Sequence, residues 1–143
     1  MTIKYEGVAV KMNHLDEVKK LRQRTDVHFN CAQSLLCPFA REVGLTAEKA
    51  QALGSFFGAG MLHGSTCGAL SATLMLLGMK GLGKEEALQE IQDFKQRHAA
   101  TNCAELLAMA KEKGMVKKEH CDALVFEMCE ILDKVYFTEQ HKG

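Results

Sequence analysis

The stretch from Cys67 to Met79 constrains the fold most, because nearly all of its side chains are apolar. A helix that is apolar on every side has to be covered by neighbouring elements on every side. The stretch is also well short of the roughly 20 apolar residues that a membrane-spanning helix needs. The sequence therefore predicts a buried central helix surrounded by other helices.

The rest of the chain follows a helical period, and proline occurs once in it, at Pro38. Apolar residues recur every three or four positions, as on the buried face of an amphipathic helix. The further predicted helices cover about 13–24, 30–44, 46–57, 85–98, 102–114 and 118–136. A chain of 143 residues is the size of one domain. We predict an all-α, single-domain bundle of six or seven helices over 13–143, preceded by an extended or disordered segment over 1–12.

Capping residues mark the helix starts, since their side chains can accept hydrogen bonds from first-turn N–H groups. The candidates are Asn30, Thr46, Ser65 or Thr66, and Asn102, the last with Glu105 as its capping-box partner. Pro38 lacks an N–H group, so a kink is predicted there. Gly44, Gly81 and Gly114 are predicted to end helices.

The composition excludes several classes of function. Eighteen basic and eighteen acidic residues give a formal net charge of zero, which argues against a nucleic-acid or membrane-surface binder. The absence of Trp and the presence of two Tyr argue against a stacking platform for bases. The N-terminal sequence lacks the pattern of a signal peptide, so a cytoplasmic location is expected. The apolar content leaves room for a homodimer interface.

Six cysteines carry the main chemical signal. A reducing cytoplasm argues against a structural disulfide framework, and no Cys-x-x-Cys motif is present. Four cysteines lie at or near predicted helix starts, where N–H groups and the helix dipole stabilise a thiolate. These candidate catalytic and metal-ligating residues are Cys31, Cys67, Cys103 and Cys121. The alternative is that each is a small buried hydrophobic residue.

Cys37 and Cys129 fall inside predicted helices, which favours a structural role, although Cys37 is close enough to Cys31 to act as an auxiliary thiol. Four histidines precede the four candidate cysteines closely, so a mixed Cys/His metal site is an alternative to solvated or capping roles. They are His28, His63, His98 and His120, of which His63 lies within the glycine-rich segment just before Cys67.

The segment 58–68 contains four glycines, which predicts a loop that turns tightly or approaches another group closely. We interpret Gly58, Gly60, Gly64 and Gly68 as shaping the cysteine site and as candidate cofactor-binding positions. The chain has no phosphate-binding loop, dinucleotide-binding fingerprint or His-Glu-x-x-His motif.

From about residue 15 onward the sequence resembles the C-GCAxxG-C-C family of redox-active proteins. The matching motifs are 29–34 around Cys31, 58–61 with 66–69 around Cys67, 103–107 after Cys103, and Cys121 with Val125 and Ile131-Leu132. Ala72 stands where the family usually has glycine, and the segment between Cys103 and Cys121 is short. The resemblance implies that the four cysteines form one functional set, and similar segments occur fused to cytochrome domains.

Three functions are consistent with these observations, and the redox partner is unknown. The first is electron transfer through an iron–sulfur cluster on four thiolates. The second is a thiol–disulfide redox protein or sensor, in which Cys67 attacks and Cys31 or Cys103 resolves the mixed disulfide. The third is a zinc-binding structural module with Cys and His ligands.

Overall fold

The computed structural model describes residues 2–5, 8–11 and 13–137. Residues 1, 6, 7 and 12 of the N-terminal segment, and residues 138–143 of the predicted helical domain, lie outside the described residues. The two short N-terminal stretches are β1 (Thr2–Tyr5) and β2 (Val8–Lys11). They pair as an antiparallel hairpin, with Thr2 opposite Lys11 and Tyr5 opposite Val8.

Seven α-helices make up the described chain from residue 13 onward, which confirms the predicted all-α bundle. They are α1 (His14–Gln23), α2 (Cys31–Phe39), α3 (Ala47–Leu53), α4 (Gly68–Met79), α5 (Lys84–His98), α6 (Cys103–Glu112) and α7 (Lys117–Ile131). A wider helical turn, Leu132–Tyr136, continues α7. Within the described ranges, none of the helices combines the length and the hydropathy that crossing a bilayer requires.

Helix α4 lies at the centre, as its apolar sequence requires. It packs against α2, α5 and α7, while α2 also contacts α1 and α3. The core side chains of α4 include Leu70 and Leu76, neither of which is exposed to solvent. This packing places the N-terminal ends of α2 and α4 next to each other, which matters for the site described below.

Several predicted helix ends agree with the structure. The side chain of Asn30 accepts from the N–H of Gln33 at 2.8 Å, and Gln33 returns the bond, so a capping box begins α2. Thr46 caps α3. One residue after Pro38, the α-helical bonding gives way to a 3-10 turn, Ala40–Val43.

Three local predictions are wrong. Helix α3 ends at Leu53 rather than Phe57, because Gly54 and the next residues form turns. Ser65 and Thr66 do not cap α4; both are extended and bonded to another segment, and Cys67 itself occupies the N-cap position. The capping box of Asn102 is not formed, because its side-chain amide donates to Glu105 at 3.2 Å instead of accepting from the backbone.

Because α4 is buried, we expect truncation of its core side chains to lower the stability of the protein. Replacing Leu76, which is fully buried, by Ala should lower the free energy of unfolding by about 2–5 kcal/mol, from lost burial and the cavity left behind. The matched control is Leu88→Ala on α5, where the side chain is 48% exposed and the loss should stay below about 1 kcal/mol. Urea unfolding measures both; equal losses would show that α4 is not the centre of the core.

Candidate functional site

The four cysteines singled out from the sequence line one cavity of about 140 Å³. They reach it from different helices. Cys31 is the first residue of α2, Cys67 precedes α4, Cys103 is the first residue of α6, and Cys121 lies in the second turn of α7. Cysteines that are far apart along the chain therefore share a common space, which is the arrangement that a joint chemical role requires.

The start of α2 meets the start of α4 because Gly68 lacks a side chain. A Cβ atom on Gly68 would lie 2.7 Å from the carbonyl oxygen of Phe57 and 3.3 Å from the Cβ of Cys31. The capping box of Asn30 fixes the first turn of α2 in this position. Cys31 is thus held against the N-terminal end of α4, beside Cys67.

A short antiparallel bridge joins the chain before α4 to the chain before α6. Thr66 pairs with Asn102, the N–H of Cys67 donates to Thr101 at 2.8 Å, and the N–H of Cys103 donates to Ser65 at 2.6 Å. These bonds use the backbone of both cysteine segments. They hold Cys67 and Cys103 on adjacent stretches of chain at the edge of the cavity.

The glycine-rich loop turns with an unusual backbone conformation. Ala59, Gly60, Met61 and Leu62 all have left-handed φ angles, between 52° and 69°. Left-handed conformation is unfavourable for residues other than glycine, so the surrounding contacts must hold it in place. A Cβ atom on Gly60 would lie 2.3 Å from the carbonyl oxygen of Ser65 and 2.7 Å from the Cβ of Cys103.

The four glycines proposed for cofactor binding have different surroundings. Gly68 lines the cavity. The position of a Cβ on Gly58 is filled by the side chain of Asn30, and that on Gly64 lies 3.0 Å from the Cβ of Ala104. Gly58, Gly60 and Gly64 therefore allow close packing of the loop onto α2 and α6. Contact with a cofactor stays a prediction for all four glycines.

Cys121 has the most acidic thiol of the set. Its pKa is lowered to about 7, first by the hydrogen bond from Cys31 and then by the positive charges of Arg22 and Lys117. Burial and the nearby carboxylate of Asp122 act in the opposite direction without reversing this effect. Cys121 is therefore substantially a thiolate near neutral pH.

The pKa values of the other three thiols are raised rather than lowered. The pKa of Cys31 is raised well above its usual range by its hydrogen bond to Cys121 and by burial. Burial is also the main cause that raises the pKa of Cys67 and of Cys103. The N–H groups of Leu70 and Ala69 lower that of Cys67, but by less. The expectation that helix starts would lower the pKa of these cysteines is wrong: burial has the larger effect at Cys67 and Cys103, and at Cys31 the hydrogen bond to Cys121 comes first and burial second.

Arg22 is the functional residue that the sequence did not reveal. Its Nε donates to Asp122 at 2.7 Å, and an Nη donates to the carbonyl of Phe29 at 2.9 Å. These bonds hold a guanidinium that is only 8% exposed at the edge of the cavity. Arg22 and Cys121 are 99 positions apart, so no local sequence pattern links them.

The remaining sulfur and imidazole groups divide into two sets. His28 and His120 line the cavity. His63 is exposed, with Nδ1 bonded to the carbonyl of Met61, and does not line it. The cysteines left over, Cys37 and Cys129, do not line it either; burial raises their pKa to about 11 and about 12. Both are inert thiols at neutral pH.

No three His, Cys, Asp or Glu side chains in the described residues stand close enough together to hold a metal ion as they are oriented. His98 is engaged elsewhere, since its Nε2 bonds to Glu127 at 2.7 Å. The cysteines share a cavity without forming a ready-made ligand set.

An all-α bundle with four cysteines around one cavity defines a cysteine-based redox or metal-binding protein. A family model described as "Putative redox-active protein (C_GCAxxG_C_C)" matches residues 29–135, which includes all four cysteines. The chain belongs to this family. No curated protein and no solved structure matches it.

The close packing around Gly60 can be tested by comparison with another glycine that also has a left-handed φ angle. Gly60→Ala combines a left-handed conformation with contacts below 3 Å, so it should cost about 2–5 kcal/mol of unfolding free energy. Gly44→Ala is the control, because Gly44 has φ +79 and no atom within 4 Å of the added Cβ; it should cost about 1 kcal/mol. Similar losses in urea unfolding would contradict the packing role.

A further prediction concerns the positive charge of Arg22. In Arg22→Gln, the midpoint of the pH dependence of Cys121 alkylation by iodoacetamide should rise from near 7 by about one pH unit. In this variant the Cys121 thiolate is no longer stabilised by the positive charge of Arg22, while the negative charge of Asp122 remains beside it. Arg22→Lys should keep the midpoint near its original value, and so should Arg41→Gln, a matched change at an exposed arginine that does not line the cysteine cavity. An unchanged midpoint in folded Arg22→Gln would remove Arg22 from the site.

Proposed function

We propose that this protein is a thiol–disulfide redox protein whose working pair is Cys121 and Cys31. The observation that carries the proposal is that Cys31 and Cys121 line the same cavity and are close enough for the ionisation of one thiol to affect that of the other. One member is acidic, and the other is a buried thiol held beside it. An attacking thiolate next to a resolving thiol is the minimal equipment for dithiol chemistry.

The reaction follows from these two roles. The Cys121 thiolate attacks one sulfur of a disulfide, a new S–S bond forms, and the first substrate thiolate leaves with the electron pair of the broken bond. The thiol of Cys31 then gives its proton to water or to the leaving thiolate. Its sulfur attacks Cys121 and releases the second substrate thiolate. The substrate gains two electrons, and Cys31 and Cys121 lose two by forming their disulfide.

Cys121 is a better candidate for the attacking group than Cys67. Cys67 is 5% exposed, and burial raises its pKa, so little thiolate is present at neutral pH. Cys121 is half-buried and has the cations Arg22 and Lys117 beside it. A cytoplasmic setting, as expected from the sequence, would return the pair to its reduced state after each turnover.

Thiol counting tests the proposal. One equivalent of diamide should remove two of the six thiols of the reduced protein, and peptide mapping should find a Cys31–Cys121 disulfide. Cys121→Ser and Cys31→Ser should each abolish this disulfide, while Cys37→Ser should leave it intact. A disulfide between any other pair, or loss of thiols without an intramolecular bond, would contradict the assignment.

A second candidate is electron transfer through an iron–sulfur cluster, favoured by the convergence of four cysteines on one cavity. Cys31, Cys67, Cys103 and Cys121 would hold the cluster, which would supply one-electron transfer. The dithiol function is preferred because it needs only two neighbouring thiols, whereas no group of three potential metal ligands is found among the described residues. A structural zinc ion on the same cysteines with His28 or His120 faces the same obstacle.

Elemental analysis of anaerobically purified protein separates these functions. Iron with acid-labile sulfide would favour the cluster, and stoichiometric zinc would favour the structural module. Metal-free protein that is oxidised and reduced reversibly at Cys31 and Cys121 would support the dithiol function.

A further inference from the structure

A second cleft opens on the other side of Cys121. It has a volume of about 260 Å³ and lies between the C-terminal end of α1, the segment after it and the first turn of α7. It shares Arg22, His28, Lys117 and Cys121 with the cysteine cavity. Among the six cysteines, all within the described residues, Cys121 alone lines this cleft. A substrate in the cleft would therefore meet Cys121 before any other thiol.

The cleft is strongly basic. Five of its eight lining residues are cationic or can become so: Arg22, Arg24, His28, Lys117 and Lys118. Two carboxylates neutralise part of this charge from outside the lining. Asp122 bonds to Arg22 at 2.7 Å and to Lys118 at 3.0 Å, while Asp26 bonds to Arg24 at 2.6 Å. Four permanent cations against two carboxylates leave a positive surplus beside Cys121.

Lys117 is the cation that is free to meet a ligand. It makes no ion pair with any residue of 13–137, it is exposed, and it lines both the cleft and the cavity. The other walls of the cleft are apolar, from Leu21 and Phe29, and the guanidinium of Arg24 lies 5.4 Å from the centre of the Phe29 ring. An apolar floor beneath a basic rim suits a small organic anion.

Building on the proposed function, we propose that the substrate of Cys121 is a small disulfide carrying carboxylate groups, seated in this basic cleft. The carboxylates lie against Lys117 and the paired arginines, which places the S–S bond over the sulfur of Cys121. Attack then proceeds with the electron balance given above: the disulfide is reduced to two thiols, and Cys31 and Cys121 are oxidised. Long-range attraction by the cations also raises the rate of encounter with an anionic disulfide.

Three short disulfides of different charge test this inference on the full, reduced chain. They are 3,3′-dithiodipropionate, which is anionic, 2-hydroxyethyl disulfide, which is neutral, and cystamine, which is cationic. Each rate constant is divided by that of dithiothreitol with the same disulfide, which removes differences in leaving-group reactivity. The normalised rate constant for the anionic disulfide should exceed that for the neutral disulfide by about tenfold at low salt, and added salt should reduce this ratio. Cystamine should give the lowest normalised rate constant of the three.

Lys117→Gln should lower the anionic-to-neutral ratio about threefold. A change in the Cys121 thiolate alone cannot do this, because the same thiolate attacks both disulfides. The matched control is Lys111→Gln, at an exposed lysine of α6 outside both cavities, which should leave the ratio unchanged.

Two results would overturn the inference by different routes. Normal reaction of Cys121 with all three disulfides, without a charge preference, would remove the anionic substrate and leave the dithiol function standing. Absence of reaction at Cys121 with every disulfide would remove both.

Discussion

The site depends on the antiparallel bridge between the segments that precede α4 and α6. The carbonyl of Ser65 accepts from the N–H of Cys103 and the N–H of Cys67 donates to Thr101, so Thr66 lies opposite Asn102 and α4 begins only after Cys67. The left-handed turn at 59–62 brings the chain into this bridge, and Gly60 lets it pass over Cys103 without a clash. The helical packing thus supplies the walls of the cavity, and this short non-helical contact positions two of its four cysteines.

Desolvation and charge compete at every thiol of the cavity, and their balance separates the four roles. Burial is the largest effect at Cys67 and Cys103 and raises their pKa, while at Cys31 the hydrogen bond to Cys121 raises the pKa first and burial second. Cys121 is farthest from a helix start, yet it is the one whose pKa falls, since a thiol donor and two cations surround it. Specific partners, rather than helix termini, decide which sulfur becomes a nucleophile in this fold.

The helices, the four cysteines and the caps at Asn30 and Thr46 could be predicted because each rests on local periodicity or side-chain type. The role of Arg22 could not, because it depends on how α1 docks against α7. The same limit explains the misassigned caps at Ser65 and Thr66, since Thr66 pairs with Asn102, 36 positions further along, and Ser65 bonds to Cys103, 38 positions further along. Local sequence indicated the elements, and tertiary packing decided which cysteine is activated.

Cys31 and Cys121 are the proposed redox pair, with Cys121 as the more acidic thiol, and site-resolved titration tests this assignment most directly. Cysteine labelled with ¹³C at Cβ would give one signal for each of the six residues, assigned by single Ser replacements. We predict that the Cys121 signal moves with a midpoint near pH 7, while the Cys31 signal moves only at clearly higher pH. Titration of Cys121 in the alkaline range, unaffected by replacing Cys31, would contradict it.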